Sequence, residues 1–295
     1  MKKFLACLCF FAISIYAKPV VTASILPTKY FVEQIAGDSV EVNVMVGSGA
    51  DPHTYEPRPE QMRLVEKSDI FFAAGMDYER VWLSKLVSNF PNMQIVQTGA
   101  NVEYLPMSNH AHHENESEEE HAKHTHQKDE ANAKFSLDPH IWLDPVLVKI
   151  QAKNIANALI AKYPQNRALY ELNLAKFEVR LDGLDSFAKE QLNGLENRNF
   201  IVYHPSWGYF AKRYNLVQIP IEVEGKEPKP KELASLISEA REEGVKVIFV
   251  SPQFSKKSAL LIAKEAGAKV VSIDQLPSDW MSSMQETIRA FKESF

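Results

Sequence analysis

Short β-rich runs alternate with helical stretches along this chain, and the alternation occurs in two separate blocks. The predicted strands cover residues 20–25, 40–46, 70–74 and 94–97 in the first block, and residues 200–203, 217–221, 247–250 and 270–273 in the second. Strand–helix alternation is typical of a mostly parallel sheet that is covered by helices. The pattern therefore predicts α/β architecture with a four-stranded sheet in each block.

A long helical zone separates the two blocks. Asp144 followed by Pro145 is a typical helix start, and Pro164 interrupts the helical pattern. Apolar residues then recur at spacings of three and four, which predicts one amphipathic helix. These residues are Leu174, Phe177, Leu181, Leu184 and Ala188. A helix of roughly 29 residues would span about 44 Å.

We therefore predict an N-terminal lobe over residues 18–164, a rigid connecting helix over residues 165–195 and a C-terminal lobe over residues 196–295. A single barrel of eight strands is the alternative, and the long helical interruption argues against it. We expect a monomer, because no heptad repeat or large exposed apolar stripe is apparent.

Residues 1–17 have the pattern of a signal peptide. Lys2 and Lys3 precede an apolar run that is too short to cross a membrane as a mature helix, and Ala17 supplies a small residue for cleavage. Both cysteines of the chain, Cys7 and Cys9, lie in this segment. The mature protein would have neither disulfides nor thiolate ligands, and we expect it in the periplasm.

Charge and histidine are concentrated in one polar segment. The net charge is −5, and residues 110–130 carry seven acids against two lysines, which accounts for the whole excess. The sequence contains no basic patch of the kind that would predict nucleic-acid binding. Six of the nine histidines also lie here: His110, His112, His113, His121, His124 and His126. We expect a mobile acidic loop over residues 107–134 whose histidines form an auxiliary, low-affinity zinc site; a solvated loop without function is the alternative.

The other three histidines each follow a predicted strand or close the loop after one. They are His53, His140 and His204, and Asp274 ends another strand. In open α/β sheets, ligands bind beyond the carboxyl ends of the strands, so two ligands from each lobe would meet in the cleft. Glu222 and Glu224 follow a different strand, and Asp279 lies near Asp274, so these acids are alternatives to it.

Three imidazoles and one carboxylate form a typical ligand set for a tetrahedral divalent ion. Imidazole favours zinc and other late first-row metals over manganese and calcium. Asp138 and Asp144 are expected to cap helices or orient imidazoles rather than to bind the metal.

Five stretches carry a family resemblance. They are D-P-H-T-Y-E-P (51–57), D-P-H-I-W-L-D-P (138–145), Y-H-P-S-W-G-Y-F (203–210), E-G-K-E-P-K-P-K-E-L (224–233) and S-P-Q-F (251–254). Together they resemble the periplasmic solute-binding proteins of zinc and manganese ABC transporters, known as cluster A-I, and are most similar to the zinc-binding component of the high-affinity importer. The resemblance covers essentially all of the mature chain.

The resemblance implies two lobes, a connecting helix and a metal ion held by His53, His140, His204 and Asp274. It also implies that the protein is not an enzyme and delivers Zn²⁺ to the membrane permease of an ABC transporter. Manganese is the alternative cargo, and a histidine at position 204 favours zinc. The resemblance leaves open whether Asp51, Glu56 or a water molecule completes the site as a fifth ligand.

A zinc-dependent hydrolase and an adhesion protein are the two other candidate functions. A zinc-dependent hydrolase needs an open coordination position and a general base, and the four implied ligands would fill a tetrahedral shell. An adhesion protein with the same fold is the other alternative, and the lack of a convincing lipid-attachment cysteine disfavours surface anchoring.

Overall fold

The computed structural model describes residues 18–107, 137–222 and 226–295. The predicted signal peptide and the six clustered histidines lie outside these residues, as does Glu224. None of the helices in the described ranges combines the length and the apolar character needed to cross a membrane.

Two open, parallel sheets form the framework, and they have the same topology. The first has the order β2-β1-β3-β4, and the second has the order β6-β5-β7-β8. The strands are β1 (Val20–Ile25), β2 (Glu41–Val46), β3 (Ile70–Ala73), β4 (Gln94–Gln97), β5 (Asn199–Val202), β6 (Val217–Pro220), β7 (Val247–Val250) and β8 (Lys269–Ser272). The predicted pair of parallel four-stranded sheets is confirmed, and the alternative of a single barrel is wrong.

Burial explains why the central strands form where they do. The sequences IFFA of β3 and VIFV of β7 are buried at every position, as expected for inner strands of a parallel sheet with both faces covered. The edge strands β4 and β8 expose their terminal residues. Continuous apolar runs therefore mark the centre of each sheet.

Helices cover the sheets and join the lobes. They are α1 (Leu26–Ala36), α2 (Pro59–Glu66), α3 (Asp77–Asn89), α4 (Pro145–Lys162), α5 (Arg167–Gln191), α6 (Gly208–Tyr214), α7 (Pro230–Glu242), α8 (Lys257–Ala266) and α9 (Trp280–Ser294). Asp144 caps α4 by accepting hydrogen bonds from the amides of Val146 and Leu147. The long helix predicted between the blocks is α5, whose 25 residues span about 38 Å.

A continuous core joins the two lobes. Trp280 of α9 is fully buried, and its ring lies edge-on against Phe31 of α1 at a centroid distance of 5.1 Å. Trp280 Nε1 donates to the carbonyl of Trp142 at 2.8 Å, and Trp142 Nε1 donates to the carbonyl of Gln275 at 2.8 Å. These two indole hydrogen bonds tie the segment that follows His140 to the C-terminal segment of the chain.

Candidate metal centre

The three histidines outside the acidic segment converge at the cleft. One ring nitrogen from each of His53, His140 and His204 lies within 4.8 Å of the other two. His140 and His204 are buried, and His53 is partly exposed. The structure therefore places together three imidazoles that come from different loops, two following strands of the first sheet and one following β5.

Two of these histidines occupy the same local turn. In the sequence D-P-H, the aspartate accepts a hydrogen bond from the histidine amide two residues on, and this occurs at Asp51–His53 and at Asp138–His140, with 2.9 Å in both cases. Such a turn is a common use of aspartate, because its side chain mimics a backbone carbonyl. The repeated motif therefore fixes the backbone that presents each imidazole.

Each imidazole has a carboxylate on its Nδ1 atom. His53 Nδ1 contacts Asp77 Oδ2 at 2.8 Å, and His140 Nδ1 contacts Asp138 Oδ1 at 2.6 Å. His204 Nδ1 contacts Glu222 Oε1 at 2.8 Å. A carboxylate in this position requires the Nδ1–H tautomer and leaves the Nε2 lone pair free to bind a metal.

The Nε2 atoms face one another. Those of His140 and His204 are 3.2 Å apart, and the buried Nε2 of His53 has no hydrogen-bond partner among the described residues. Two nitrogen ligands of a tetrahedral zinc ion, with Zn–N of about 2.05 Å, are about 3.3 Å apart. The observed separation therefore matches one edge of a zinc coordination tetrahedron.

Aromatic rings surround the imidazoles. Phe254 packs against His204 at a centroid distance of 4.9 Å, and Trp142 packs against His140 at 5.1 Å. Burial is the main cause that lowers the pKa of His140 well below its usual value, and repulsion from His204 and His53 contributes. His140 is therefore neutral, which is the form that binds metal.

The carboxylates differ in their electrostatic setting. The hydrogen bond from His53 is the largest cause that lowers the pKa of Asp77, which stays ionised and also pairs with Arg80 at 3.0 Å. Burial raises the pKa of Asp138 to about 7. A positive ion in the cleft would favour ionised Asp138, because opposite charge stabilises a buried carboxylate.

Comparison with known proteins is consistent with this geometry. A family model described as "Zinc-uptake complex component A periplasmic" matches residues 21–294. The chain belongs to this family. The family is one of solute-binding components, so the prediction that the protein is not an enzyme is confirmed.

Individual relatives bear different metals in their names. The high-affinity zinc uptake system protein ZnuA of Bacillus subtilis is 31% identical over 286 residues, which cover 93% of this chain and 86% of that protein. The manganese ABC transporter substrate-binding lipoprotein PsaA of Streptococcus pneumoniae is 31% identical over 268 residues, covering 86% of this chain and 77% of that one. A crystal structure of ZnuA matches with a TM-score of 0.83 and 40% identity over 94% of this chain and 99% of its own.

The predicted carboxylate ligand is not part of the three-histidine group. Asp274 Oδ1 accepts hydrogen bonds from Gln253 Nε2 and from the amide of Leu276, both at 2.9 Å. Asp51 and Glu56 also lie outside the group. Asp51 Oδ2 instead accepts from the hydroxyl of Thr54 at 2.9 Å, which strengthens the turn that carries His53.

The alternatives to Asp274 have other contacts. Glu222 is the partner of His204 described above, and Asp279 caps α9 by accepting from the amide of Ser282 at 3.3 Å. Asp138 has the imidazole-orienting contact that its sequence position suggested. Asp144 instead caps α4 and forms an ion pair with Arg213 at 2.6 Å.

Asp77, the partner of His53, was not predicted from the sequence. Asp77 begins α3, directly after β3, so the rule that selected the histidines at strand ends would also have selected this carboxylate. A buried carboxylate holds the same loop: Glu79 accepts hydrogen bonds from the amides of Ala74 at 2.8 Å and Gly75 at 2.9 Å. Gly75 has a φ of 87°, a conformation that glycine adopts without strain.

Proposed function

We propose that this protein captures Zn²⁺ between its lobes and delivers it to the permease of an ABC importer. The observation that carries the proposal is the pair of Nε2 atoms of His140 and His204 at 3.2 Å, each on a ring whose Nδ1 faces a carboxylate. In that tautomer, two nitrogen lone pairs point at each other. A cation between them turns this repulsion into coordination.

The ligand set that we propose is His53, His140, His204 and Asp274. Three imidazoles supply the nitrogen atoms that favour zinc over manganese. Asp274 supplies a charged oxygen, and the hydrogen bonds from Gln253 and Leu276 hold its carboxylate in the loop after β8. Tetrahedral coordination by four protein ligands leaves no open position for a reactive water, as suits capture rather than hydrolysis.

The three carboxylates on Nδ1 strengthen the site. A carboxylate that accepts the Nδ1 proton makes the opposite nitrogen more basic and fixes the ring, and removing such a partner typically lowers metal affinity about 10- to 100-fold. The buried core between the lobes supports exchange of the ion through movement of the ligand loops rather than a wide hinge opening. Similar lobe angles with and without zinc are expected.

Residues 1–17 support a periplasmic location, with cleavage after Ala17 releasing the mature protein. The six clustered histidines are proposed to bind zinc weakly and to raise its local concentration near the cleft. Deleting residues 109–130 and titrating zinc tests this: the weak sites should disappear and the tight site should remain. Loss of the tight site with the deletion would mean that the cleft is not the primary site.

Metal titration of purified variants tests the proposal directly. His53→Ala, His140→Ala and His204→Ala should each weaken zinc binding strongly, and Asp274→Ala should weaken it less, because three imidazoles remain. His121→Ala is the matched control and should leave the tight site unchanged. Unchanged zinc affinity in His204→Ala would show that the cleft is not the tight zinc site.

The metal that the protein carries in the cell must be identified by a separate experiment, because nitrogen-containing sites bind zinc more tightly than manganese in vitro. Elemental analysis of protein isolated from the periplasm, together with growth of a deletion strain under zinc and manganese starvation, separates the two metals. Zinc in the isolated protein and a growth defect corrected by zinc are expected. Manganese in place of zinc would favour the alternative function.

A further inference from the structure

His140 belongs to the first lobe, and a helix of the C-terminal lobe contacts Asp138, the residue two positions before it. Helix α6 (Gly208–Tyr214) begins four residues after His204 and lies against the segment that carries His140. Two of its residues contact Asp138, the carboxylate partner of His140. This contact connects ligand loops from the two lobes.

The first contact, called the clasp, is a pair of hydrogen bonds made by the hydroxyl of Tyr209. Tyr209 is buried, and its hydroxyl donates to the carbonyl of Asp138 at 2.7 Å while accepting from the amide of Leu105 at 3.0 Å. The same two residues pair directly, because the Asp138 amide donates to the Leu105 carbonyl at 2.8 Å. One phenol therefore bridges two backbone segments of the first lobe from a helix of the second.

The second contact is a close approach between Gly208 and the side chain of Asp138. A Cβ atom at Gly208 would lie 2.8 Å from Asp138 Oδ2, which is shorter than a non-bonded contact allows. The backbone of α6 therefore packs directly on the carboxylate. With Tyr209 on its carbonyl and Gly208 against its side chain, Asp138 is confined from two directions.

Because Asp138 is hydrogen-bonded to the His140 imidazole, fixing Asp138 also fixes the ring. Its Oδ1 atom accepts from both the amide and the Nδ1 of His140, at 2.9 and 2.6 Å. We infer that Tyr209 and Gly208 are positioning residues that set His140 against His204 by fixing Asp138 across the lobe interface. This inference rests on the proposed function, because the positioned group is a proposed zinc ligand.

Tyr209→Phe tests the clasp, because it removes only the hydroxyl. We expect the zinc dissociation constant to rise about three- to tenfold, the ratio that corresponds to one net hydrogen bond, mainly through faster dissociation. Tyr214→Phe is the control on the same helix, since its hydroxyl donates to Asp185 at 3.1 Å rather than to the ligand loop. It should leave the zinc affinity unchanged.

A double-mutant cycle distinguishes positioning from general destabilisation. If Tyr209 acts through Asp138, its effect on zinc affinity should shrink in an Asp138→Ala background, which removes the side chain that contacts His140, but persist in a Glu222→Gln background. Equal effects in both backgrounds would overturn the inference. Gly208→Ala supplies a second perturbation, and it should weaken zinc binding through the displaced carboxylate.

Nitrogen NMR of the zinc-free protein gives a readout that does not require metal. The Nδ1–H signal of His140 should shift or exchange faster in Tyr209→Phe and remain unchanged in Tyr214→Phe. An unchanged His140 signal together with unchanged zinc affinity would overturn the inference. If His204→Ala left wild-type zinc affinity unchanged, the proposed function would fail, and the NMR comparison would still decide whether Tyr209 positions His140.

Discussion

Neutralising the carboxylates behind the imidazoles should lower zinc affinity by amounts that follow their burial. Glu222→Gln keeps an oxygen that can accept the Nδ1 proton of His204 and removes the negative charge. Asp77→Asn makes the same change behind His53. The side chain of Glu222 is 8% exposed and that of Asp77 is 46% exposed, so the two substitutions probe one interaction in two dielectric environments.

The expected loss of zinc-binding free energy follows from the distance between the carboxylate oxygen on Nδ1 and the ion on Nε2 of the same imidazole. A carboxylate oxygen on Nδ1 lies about 7 Å from an ion bound to Nε2, given Zn–N of about 2 Å. Coulomb's law for charges of −1 and +2 at that distance gives about 5 kcal/mol at a dielectric of about 20, and about 1 kcal/mol in water. Desolvation offsets part of the first value, so Glu222→Gln should cost about 10- to 100-fold in affinity.

Asp77 should contribute less, because its carboxylate is half exposed and already pairs with Arg80. The water value of about 1 kcal/mol corresponds to about fivefold. Chelator-competition titrations at neutral pH and moderate salt measure both variants against the wild type. Asp182→Asn is the control, since that carboxylate lies on α5, is exposed and pairs with Lys149 of α4.

The relative size of the affinity losses in Glu222→Gln and Asp77→Asn tests the electrostatic explanation. An Asp77→Asn loss that equals or exceeds the Glu222→Gln loss, in variants with wild-type unfolding midpoints, would refute the electrostatic reasoning. Unchanged affinity in both variants would show that the carboxylates only orient the rings.

Three further outcomes are expected. Trp280→Phe should lower the free energy of unfolding by about 2–4 kcal/mol in urea titrations, because it leaves the buried Trp142 carbonyl without its indole donor and creates a small cavity. Burial is the main cause that raises the pKa of Glu79, so its protonated form stabilises the fold below about pH 4.5, and this contribution is lost as pH rises through the folded-state pKa. The stability advantage of wild type over Glu79→Gln should therefore shrink from pH 4 to pH 8. Zinc at about 100 times its dissociation constant should raise the unfolding free energy by about 2.7 kcal/mol, and a chelator should reverse this gain.

Much of the architecture could be predicted because the signals are local. Buried runs such as IFFA and VIFV mark inner strands without reference to distant residues, and Asp144–Pro145 marks the start of α4 within one residue. The convergence of three histidines followed from a topological rule about strand ends. Each of these inferences needs only the neighbouring sequence and the knowledge that the sheets are parallel.

The interactions that the sequence did not reveal are those between loops. His53 meets Asp77 across 24 positions, and His204 meets Glu222 across 18. Hydrophobic periodicity shows which face of an element is buried but not which loop reaches which ring. The same limit applies to Tyr209, whose helical position predicts core packing and says nothing about a hydroxyl that clasps Asp138.

Pro106 and Leu137 pair as an antiparallel bridge, so the described residues on the two sides of positions 108–136 lie next to each other. The chain between them can lengthen or shorten without changing the distance that it must span. We therefore expect that the number of histidines between these two anchors can change while the geometry at His140 stays constant.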